Sequence, residues 1–184
     1  MQQTYTLTEY LNAEIEPDRL YEVEGGKIID MPPESFQNVC IIFKLIKLLL
    51  AEINPERISN KTEIIVSGSR FNSRFPDLVI FTEEQLIELS SLNRSTIALD
   101  MLSPLLVVEV VSPGKKARDR DYRYKRSEYA ARGIKYYWII DPESECFTEL
   151  RLTDGFYDEV RHDENFKITE PFNLQIDLKQ LINN

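Results

Sequence analysis

The sequence predicts a single α/β domain in which a mixed β-sheet is flanked by helices on both faces. Short apolar runs typical of strands alternate with segments whose apolar residues recur at helical spacing. The composition, 42% hydrophobic and 29% charged over 184 residues, is ordinary for one globular domain. Because no repeat, low-complexity tract or linker-like stretch interrupts the chain, residues 1–184 are expected to form one domain.

The first part of the chain predicts a short helix, a β-hairpin and a longer helix. The segment LTEYLNAE is typical of a short helix with Thr8 as its N-cap, and RLYEVEGGKIIDMP predicts two strands joined by a Gly-Gly turn. Residues 34–52 have apolar positions at helical spacing, with Lys44 and Lys47 on the other face. This amphipathic helix is expected to cover one face of the sheet.

The middle of the chain predicts three strands and a long helix. KTEIIVSG and PDLVIF indicate successive strands, and TEEQLIELSSLN indicates a short helix or an ordered loop. LLVVEVVSP (residues 105–113) is a strand apolar enough to be buried, and a Pro-Gly pair stops it. The helix that follows is expected to run from about Lys115 to Arg132 and to end at Gly133, a typical C-cap residue.

The last part of the chain predicts one further strand and a C-terminal hairpin. IKYYWIIDP is rich in aromatic and branched residues and ends at Asp141-Pro142. CFTELRLTDGFYDEVRHDENFKI predicts a hairpin around Asp154-Gly155, followed by an acidic tail with a last strand or turn of helix. The order strand, strand, strand, helix, strand implies a mixed sheet.

Cysteine, histidine and apolar content exclude several classes of protein. Cys40 and Cys146 stand far apart without a pairing pattern, so both are expected to be free thiols. His162 is the only histidine, which argues against zinc clusters, histidine-metal nucleases and most catalytic triads. No apolar run approaches the length of a membrane span, and the N-terminus is polar and acidic, unlike a signal peptide. A cytoplasmic protein is therefore expected, without contact with a membrane.

Charge is distributed unevenly along the chain. The net charge is -9, but residues 115–126, KKARDRDYRYKR, hold seven Lys or Arg against two Asp. This segment carries a net charge of +5 and leaves -14 for the rest of the chain. An acidic body with one basic helix is the pattern that a function must explain.

Two acidic residues interrupt otherwise apolar strands, Asp77 in FPDLVIF and Glu109 in LLVVEVV. Burying a carboxylate costs several kcal/mol unless something compensates for it. If the two strands are neighbours and the two acids share a face, they form a carboxylate pair open to a hard cation such as Mg²⁺. Alternatively, Asp77 caps a strand that starts after Pro76, and Glu109 pairs with a basic residue of the following helix.

Three polar residues of the predicted basic helix, Asp121, Lys125 and Tyr129, are spaced four apart and share one face. A lysine held near a metal-bound water and a scissile phosphate can orient the nucleophile and offset developing negative charge. The alternative is a solvated salt bridge between Asp121 and Lys125 without a catalytic role.

These segments together resemble the PD-(D/E)xK nuclease superfamily. More closely, YEVEGGKIIDMPP, RFPDLVIF, LLVVEVVSP, DYRYKRSEY and GIKYYWIIDP, in this order and spacing, are similar to the Uma-type restriction endonucleases. The resemblance covers roughly residues 5–145. It implies a restriction-endonuclease-like fold with an N-terminal hairpin and a C-terminal hairpin extension.

The resemblance also implies roles for individual residues. The acids of the two strands, Asp77 and Glu109, would bind Mg²⁺, with Mn²⁺ as an alternative. The superfamily lysine should stand two residues after Glu109, where this chain has Val111. In the Uma-type branch the lysine has moved to the following helix, which matches Lys125.

Further positions match the family less specifically. Asp121 and Tyr129 match the polar positions that bracket the lysine, and Glu22 matches a recurrent acid that would serve as an accessory ligand or structural partner. The family often has a histidine at the start of the helix after MPP, where this chain has ESFQNV. If that histidine takes part in catalysis, this departure predicts impaired activity.

The leading functional hypothesis is a Mg²⁺-dependent endonuclease acting on DNA, with Lys125 orienting the attacking water. Basic side chains of the helix are expected to contact the phosphate backbone: Lys115, Lys116, Arg118, Arg123 and Arg126. The family precedent also implies a homodimer. The alternatives are a catalytically silent nuclease-fold module that binds nucleic acid or protein, and an interaction protein whose basic helix binds an acidic partner.

Overall fold

The structure is a computed structural model that describes residues 3–15, 20–68, 71–92 and 94–183. The α-helices are α1 (Leu7–Leu11), α2 (Phe36–Leu49), α3 (Glu83–Ser90), α4 (Lys115–Asp119), α5 (Arg126–Arg132) and α6 (Leu178–Ile182). A 3-10 turn spans Pro55–Arg57, and a π-helical segment, Arg120–Lys125, joins α4 to α5. No helix among the described residues has both the length and the apolar character needed to cross a membrane.

The strands form two mixed sheets and a small ribbon. They are β1 (Tyr21–Glu24), β2 (Lys27–Asp30), β3 (Ile58–Ser59), β4 (Glu63–Ser67), β5 (Asn72–Arg74), β6 (Leu78–Ile80), β7 (Thr96–Ile97), β8 (Leu106–Val110), β9 (Tyr136–Asp141), β10 (Cys146–Thr153), β11 (Phe156–His162), β12 (Phe166–Ile168) and β13 (Leu174–Ile176). The first sheet has the order β2-β1-β5-β4-β7, the second has the order β11-β10-β9-β8-β6-β3, and β12 pairs with β13. In the first sheet β4 and β7 run parallel, in the second β8 and β9 run parallel, and the other neighbours are antiparallel.

The prediction of a mixed sheet flanked by helices is confirmed, but the strands divide between two sheets. The segments KTEIIVSG and PDLVIF, predicted as successive strands, form β4 in the first sheet and β6 in the second. A third strand, β5, lies between them in the chain and was not predicted. Its residues, Asn72–Arg74, are polar, so they carry no apolar alternation that would identify a strand.

The two faces of β8 belong to two different cores. Val108 and the even-numbered residues beside it pack in the core formed with α2 and α6. Val107 and Val111 pack in a second core that includes Tyr129 of α5. Because side chains alternate along a strand, Glu109 lies on the same face as Val107 and Val111 and points towards the helix that follows.

Helix α2 covers the other face of the second sheet, as its amphipathic pattern predicted. Ile41, Leu45 and Leu49 recur at intervals of four residues and are fully buried. Ser35 is the N-cap, and its hydroxyl accepts a hydrogen bond from the Asn38 amide at 3.1 Å. The opposite face of the helix retains exposed apolar side chains.

The long helix predicted after β8 is present, with one change of winding. Segments α4, the π-helical segment and α5 follow one another over residues 115–132, here called the basic helix. Gly133 ends the helix in the left-handed conformation with φ 79°, as predicted. The π-helical winding covers the residues from Arg120 to Lys125 and buries Asp121 and Lys125. Such local π turns are frequent at functional sites.

The structure also decides two predictions about where helices begin. The N-cap of α1 is Thr6 and not Thr8, because the Thr6 hydroxyl accepts from the Glu9 amide and the Glu9 carboxylate accepts from the Thr6 amide. Thr82 begins α3 with a similar reciprocal cap, so that segment is a helix and not an ordered loop. Arg19, the first residue of the predicted hairpin segment RLYEVEGGKIIDMP, and Asn93, the last residue of TEEQLIELSSLN, lie outside the described residues.

The turn between β1 and β2 contains two glycines with different surroundings. Gly25 and Gly26 both have positive φ, 57° and 77°. A Cβ atom at Gly26 would collide with the Tyr5 carbonyl, whereas one at Gly25 would meet nothing within 4 Å. The Gly26 carbonyl also accepts a hydrogen bond from the Tyr5 amide at 2.7 Å, which holds the N-terminal segment on the hairpin.

We expect Gly25→Ala to lower the free energy of unfolding by about 1 kcal/mol, because only the left-handed backbone is strained. Gly26→Ala adds displacement of the N-terminal segment and should cost roughly 2–4 kcal/mol. Urea denaturation of both variants measures the difference. Equal losses would contradict the close approach of Tyr5 to Gly26.

Candidate active site

Asp77 and Glu109 face each other across two neighbouring strands. In the antiparallel pair β6 and β8, Leu78 stands opposite Val108. Continuing this register by one residue places Asp77 opposite Glu109, on the same face of the sheet. The Asp77 carboxylate, directly before the start of β6, accepts a hydrogen bond from the Val110 amide at 2.6 Å.

Glu109 is buried with both carboxylate oxygens hydrogen-bonded to protein donors. It is 3% exposed. The Tyr129 hydroxyl donates to Oε1 at 2.6 Å, and the Lys125 ammonium lies 2.8 Å from Oε2. The desolvation cost of the buried carboxylate is thus offset by one cation and one hydroxyl, both supplied by the basic helix.

Lys125 is enclosed by three carboxylates. Besides Glu109, its ammonium lies 3.2 Å from Glu22 Oε1 and 3.6 Å from Asp121 Oδ1. Burial alone would lower the pKa of Lys125, but Glu109, Glu22 and Asp121 outweigh burial and raise it, so the side chain stays charged. The ion pair between Asp121 and Lys125 is therefore not a solvated surface pair, since both side chains are buried.

Arg74 forms a second buried cation beside the first. Its guanidinium bonds Glu22 at 2.8 Å, and also contacts Glu24 and Glu128 at 3.0 and 2.7 Å. Burial would raise the pKa of Glu22, but Lys125 and Arg74 together lower it. Glu22 thus bridges the two cations and ties the first sheet to the basic helix.

The pKa values of Asp77 and Glu109 are shifted in the opposite direction to that of Glu22. Burial raises the pKa of Asp77 well above its usual range, and the nearby Glu109 and Glu34 carboxylates add to this shift. Burial likewise raises the pKa of Glu109, although Lys125 opposes the shift. Two neighbouring carboxylates in this environment repel each other, and a bound cation would relieve the repulsion.

A cavity of about 470 Å³ opens over this cluster. Charged side chains form one part of its lining, which we call the charged floor: Glu22, Asp77, Glu109, Arg120 and Lys125. Apolar side chains form another part, which we call the apolar wall: Leu20, Met31, Val39, Ile42, Phe43 and Phe75. Glu34 and Asn38, at the start of α2, also line the cavity.

The oxygen atoms at the cavity are of the type that binds a hard divalent cation. Asp77 and Glu109 supply carboxylates, and the Val110 carbonyl, beside them, accepts a long hydrogen bond of 3.3 Å from the Asn38 amide group. Within the described ranges, no three His, Cys, Asp or Glu side chains form a group that could hold a metal. This donor set fits Mg²⁺, which binds through one or two carboxylates and keeps several waters.

Several residues of the site were not identified from the sequence. Arg74 lies three residues before Asp77 on the unpredicted strand β5, so its position could not be inferred without that strand. Arg120 precedes Asp121 and bonds it at 3.1 Å, but was read as one more charge of the basic helix. Asn38 is buried within α2, in the segment where the resembled family often has a histidine, and donates to Glu34 at 2.7 Å.

The five basic residues predicted to contact phosphate do not share one environment. Arg118 lies 2.7 Å from Asp141, and Arg126 bonds Glu159 and the Tyr157 carbonyl. Arg123 is mostly exposed and lies 3.7 Å from Asp119 on the same helix. Lys115 and Lys116, at the start of the helix, are exposed. Three of the five therefore present their charge to solvent.

The buried cluster predicts a large stability effect at Lys125. Lys125→Met would leave Glu22, Glu109 and Asp121 without their shared cation, so we expect a loss of roughly 3–5 kcal/mol in the free energy of unfolding. The matched control is Arg123→Met, an exposed position of the same helix, which should change stability by less than about 0.5 kcal/mol. Urea denaturation of both variants measures this, and similar losses at the two positions would contradict the role of the buried cation.

Comparison with known proteins supports the same reading of the fold. A crystal structure titled as a putative nuclease belonging to DUF820, from Anabaena variabilis ATCC 29413, superposes with a TM-score of 0.71. The similarity covers 97% of each chain at 20% sequence identity, so it establishes a shared fold. No curated protein sequence matches the chain.

The family model Uma2, described as "Putative restriction endonuclease", matches residues 7–179. This match includes both opposing acids, the basic helix and the C-terminal hairpin. The chain therefore belongs to the Uma2 family of restriction-endonuclease-like proteins.

Proposed function

We propose that this protein is a divalent-metal-dependent endonuclease that hydrolyses phosphodiester bonds in DNA. Membership of the Uma2 family supports nuclease activity in general. The single observation that carries the finer proposal is the pairing of Asp77 and Glu109 on neighbouring strands at a cavity, with the Lys125 ammonium 2.8 Å from Glu109. Two carboxylates and a lysine at one cavity are the groups that metal-assisted phosphodiester hydrolysis needs.

Asp77 and Glu109 would hold the cation, Mg²⁺ or Mn²⁺, together with the Val110 carbonyl. When bound, the cation would offset charge on the phosphoryl group and lower the pKa of a coordinated water. Each carboxylate oxygen has two lone pairs, so Glu109 can keep its hydrogen bonds to Tyr129 and Lys125 and still bind a metal.

Lys125 is proposed to orient the attacking water and to stabilise negative charge on the phosphate. Its ammonium group carries three donors. Glu109 and Glu22 lie within hydrogen-bond distance, whereas Asp121 at 3.6 Å is too far for a hydrogen bond, so one donor would remain for a water. Because the three carboxylates keep the group charged, Lys125 would act as an electrostatic donor rather than as a base.

Burial of the superfamily's usual lysine position in an apolar core explains why the basic helix, and not β8, supplies the amine here. Two residues after Glu109, Val111 is 5% exposed and packs in the apolar core with Tyr129. A charged side chain at that position would have to enter this core. The basic helix instead brings Lys125 to Glu109 from above the sheet.

Glu22 and Tyr129 are proposed as positioning residues. Glu22 links Lys125 to Arg74, and Tyr129 fixes the orientation of the Glu109 carboxylate. The exposed cations Lys115, Lys116 and Arg123 would attract the phosphate backbone, whereas Arg118 and Arg126 would first have to exchange their acidic partners.

A catalytically silent nuclease-fold protein that binds nucleic acid or protein is the second candidate. The specific observation in its favour is that both oxygens of Glu109 already accept hydrogen bonds from Tyr129 and Lys125. In this case the cluster would serve stability alone, and the cavity would not need to bind a cation.

Substitution of the opposing acids tests the leading proposal. We expect Asp77→Asn and Glu109→Gln each to reduce metal-dependent plasmid nicking by at least about a thousandfold, since loss of a ligand removes several kcal/mol of charge stabilisation. Calorimetric titration with Mg²⁺ or Mn²⁺ should show weakened binding in the same variants. Glu88→Gln, an exposed acid on α3, is the matched control and should retain both properties.

Circular dichroism of Asp77→Asn and Glu109→Gln shows whether a loss of metal binding or nicking comes from loss of the fold. Retained fold with lost binding and nicking supports the metal site. Wild-type protein that neither binds the cation nor nicks DNA would contradict the proposal and favour the silent module.

A further inference from the structure

The cavity over the acidic pair has an apolar side that metal binding and hydrolysis do not use. Val39, Ile42 and Phe43 of α2, together with Leu20, lie at the same cavity as Asp77. Three of these side chains are unusually exposed for apolar residues: Phe43 at 60%, Leu20 at 56% and Val39 at 36%. Clustered exposed apolar side chains beside a charged site typically mark a ligand-binding surface.

The ligand that suits both sides of the cavity is one nucleotide of an unpaired strand. Its phosphate would lie beside the two cations of the charged floor, Arg120 and Lys125, and its base would stack against the apolar wall. Inside a duplex, bases are stacked and paired, so none is free to enter such a cavity without being extruded. Stacking on an aromatic side chain tolerates any base and contributes about 1–3 kcal/mol per base.

We propose that the apolar wall binds an unpaired base next to the scissile phosphate, so that the preferred substrate is single-stranded DNA or a duplex with unpaired bases. This inference rests on the proposed nuclease function. The exposed Lys61, also at the cavity, is placed to contact the backbone of such a strand. Phe43 is the residue whose aromatic ring would stack on the base.

Binding of fluorescent oligonucleotides tests the proposal without requiring cleavage. Fluorescence anisotropy would compare one sequence in single-stranded and duplex form, in EDTA, for the wild type and Phe43→Ala. We expect the wild type to prefer the single strand, and Phe43→Ala to weaken single-strand binding by about tenfold while duplex binding changes less than about twofold. Phe156→Ala, at an exposed phenylalanine at the start of β11, is the matched control and should change neither.

Three outcomes would overturn the base-binding proposal. These are a wild-type preference for duplex, equal losses on both oligonucleotides, and a change in oligomeric state of Phe43→Ala by light scattering, which would mean that a second copy covers α2. Failure of the nuclease proposal is separate, because it shows as absent nicking while the strand preference in EDTA is still measured.

A different observation concerns the edge of the second sheet. Strand β11 is the last strand at that edge, and five of its seven residues are exposed. The Leu152 amide of β10 donates to the Lys135 carbonyl, on the side away from β11. Tyr157 stands opposite Leu152, so its backbone N–H and C=O groups point away from β10, towards the open edge. By alternation the backbone groups of Glu159 and Arg161 point outward too. The Tyr157 carbonyl accepts a hydrogen bond from Arg126, whereas the outward backbone groups of Glu159 and Arg161 have no partner among the described residues.

The side chains of this edge are complementary to themselves. A two-fold axis at Val160 would place Glu159, which is ion-paired with Arg126 in the single chain, opposite the partner's Arg161 on one face of the joined sheet. On the other face it would place Asp158 opposite the partner's His162. Val160 would lie opposite the partner's Val160 at the axis, and its side chain is 56% exposed in the single chain. The two pairs of Glu159 and Arg161 would carry opposite charges, and opposite charges directly across an antiparallel pair stabilise it.

We infer that β11 pairs antiparallel with β11 of a second copy of this chain, joining the two six-stranded sheets. Light scattering and sedimentation equilibrium of the wild type should show a dimer. Arg161→Glu would place two pairs of like charges across the axis, and we expect it to weaken dimerisation by at least about tenfold. Adding Glu159→Arg should restore the dimer, because the pairs again have opposite charge.

The control is Lys167→Glu, a charge reversal at the exposed position of β12 that should leave the dimer unchanged. A monomeric wild type, or a double variant that is no better than Arg161→Glu alone while retaining its fold, would overturn the inference. Neither result bears on nicking activity.

Discussion

The buried ammonium of Lys125 is the interaction on which the rest of the site depends. Glu22, Glu109 and Asp121 come from β1, β8 and the basic helix, and Lys125 is the one cation that all three share. Without it Glu109 would keep only a neutral donor, the Tyr129 hydroxyl, while Glu22 and Asp121 would each keep one arginine. The cation therefore joins the first sheet, the second sheet and the helix in one electrostatic unit. Arg74 extends this unit through Glu22 and Glu128, so the two sheets and α5 are held together by ion pairs as well as by apolar packing.

The basic helix also places Asp77 and Glu109, the two acids of the cavity, in different environments. Glu109 is enclosed by donors of the basic helix, whereas Asp77 receives a single backbone hydrogen bond and remains partly exposed to the cavity. The strand pair fixes their mutual position, and the helix fixes the charge state around them. One rigid cluster thus serves stability and also offers oxygen atoms to a cation, which is why stability and metal binding must be measured together in any variant.

Much of the fold followed from local patterns. The Gly-Gly hairpin, the amphipathic α2, the helix ending at Gly133 and the hairpin at Asp154-Gly155 all have sequence signals that act over a few residues. The division into two sheets did not, because the polar strand β5 has no apolar alternation and its pairing with β1 is a long-range contact. The N-cap of α1 was misplaced by two residues, since two threonines compete for that role.

The sequence by itself determined which residues could form the site: an acid in each of two apolar strands, and Asp121, Lys125 and Tyr129 on one helical face. Only the tertiary structure decided that Asp77 and Glu109 are directly opposite, that three carboxylates enclose Lys125, and that Arg118 and Arg126 are paired with acids. The physical reason is that sequence patterns act over a few residues, whereas the contacts of the site act over long distances along the chain. Periodicity fixes the face on which a side chain lies, but strand register and the approach of separate elements fix its partners, and those contacts join residues far apart in the chain.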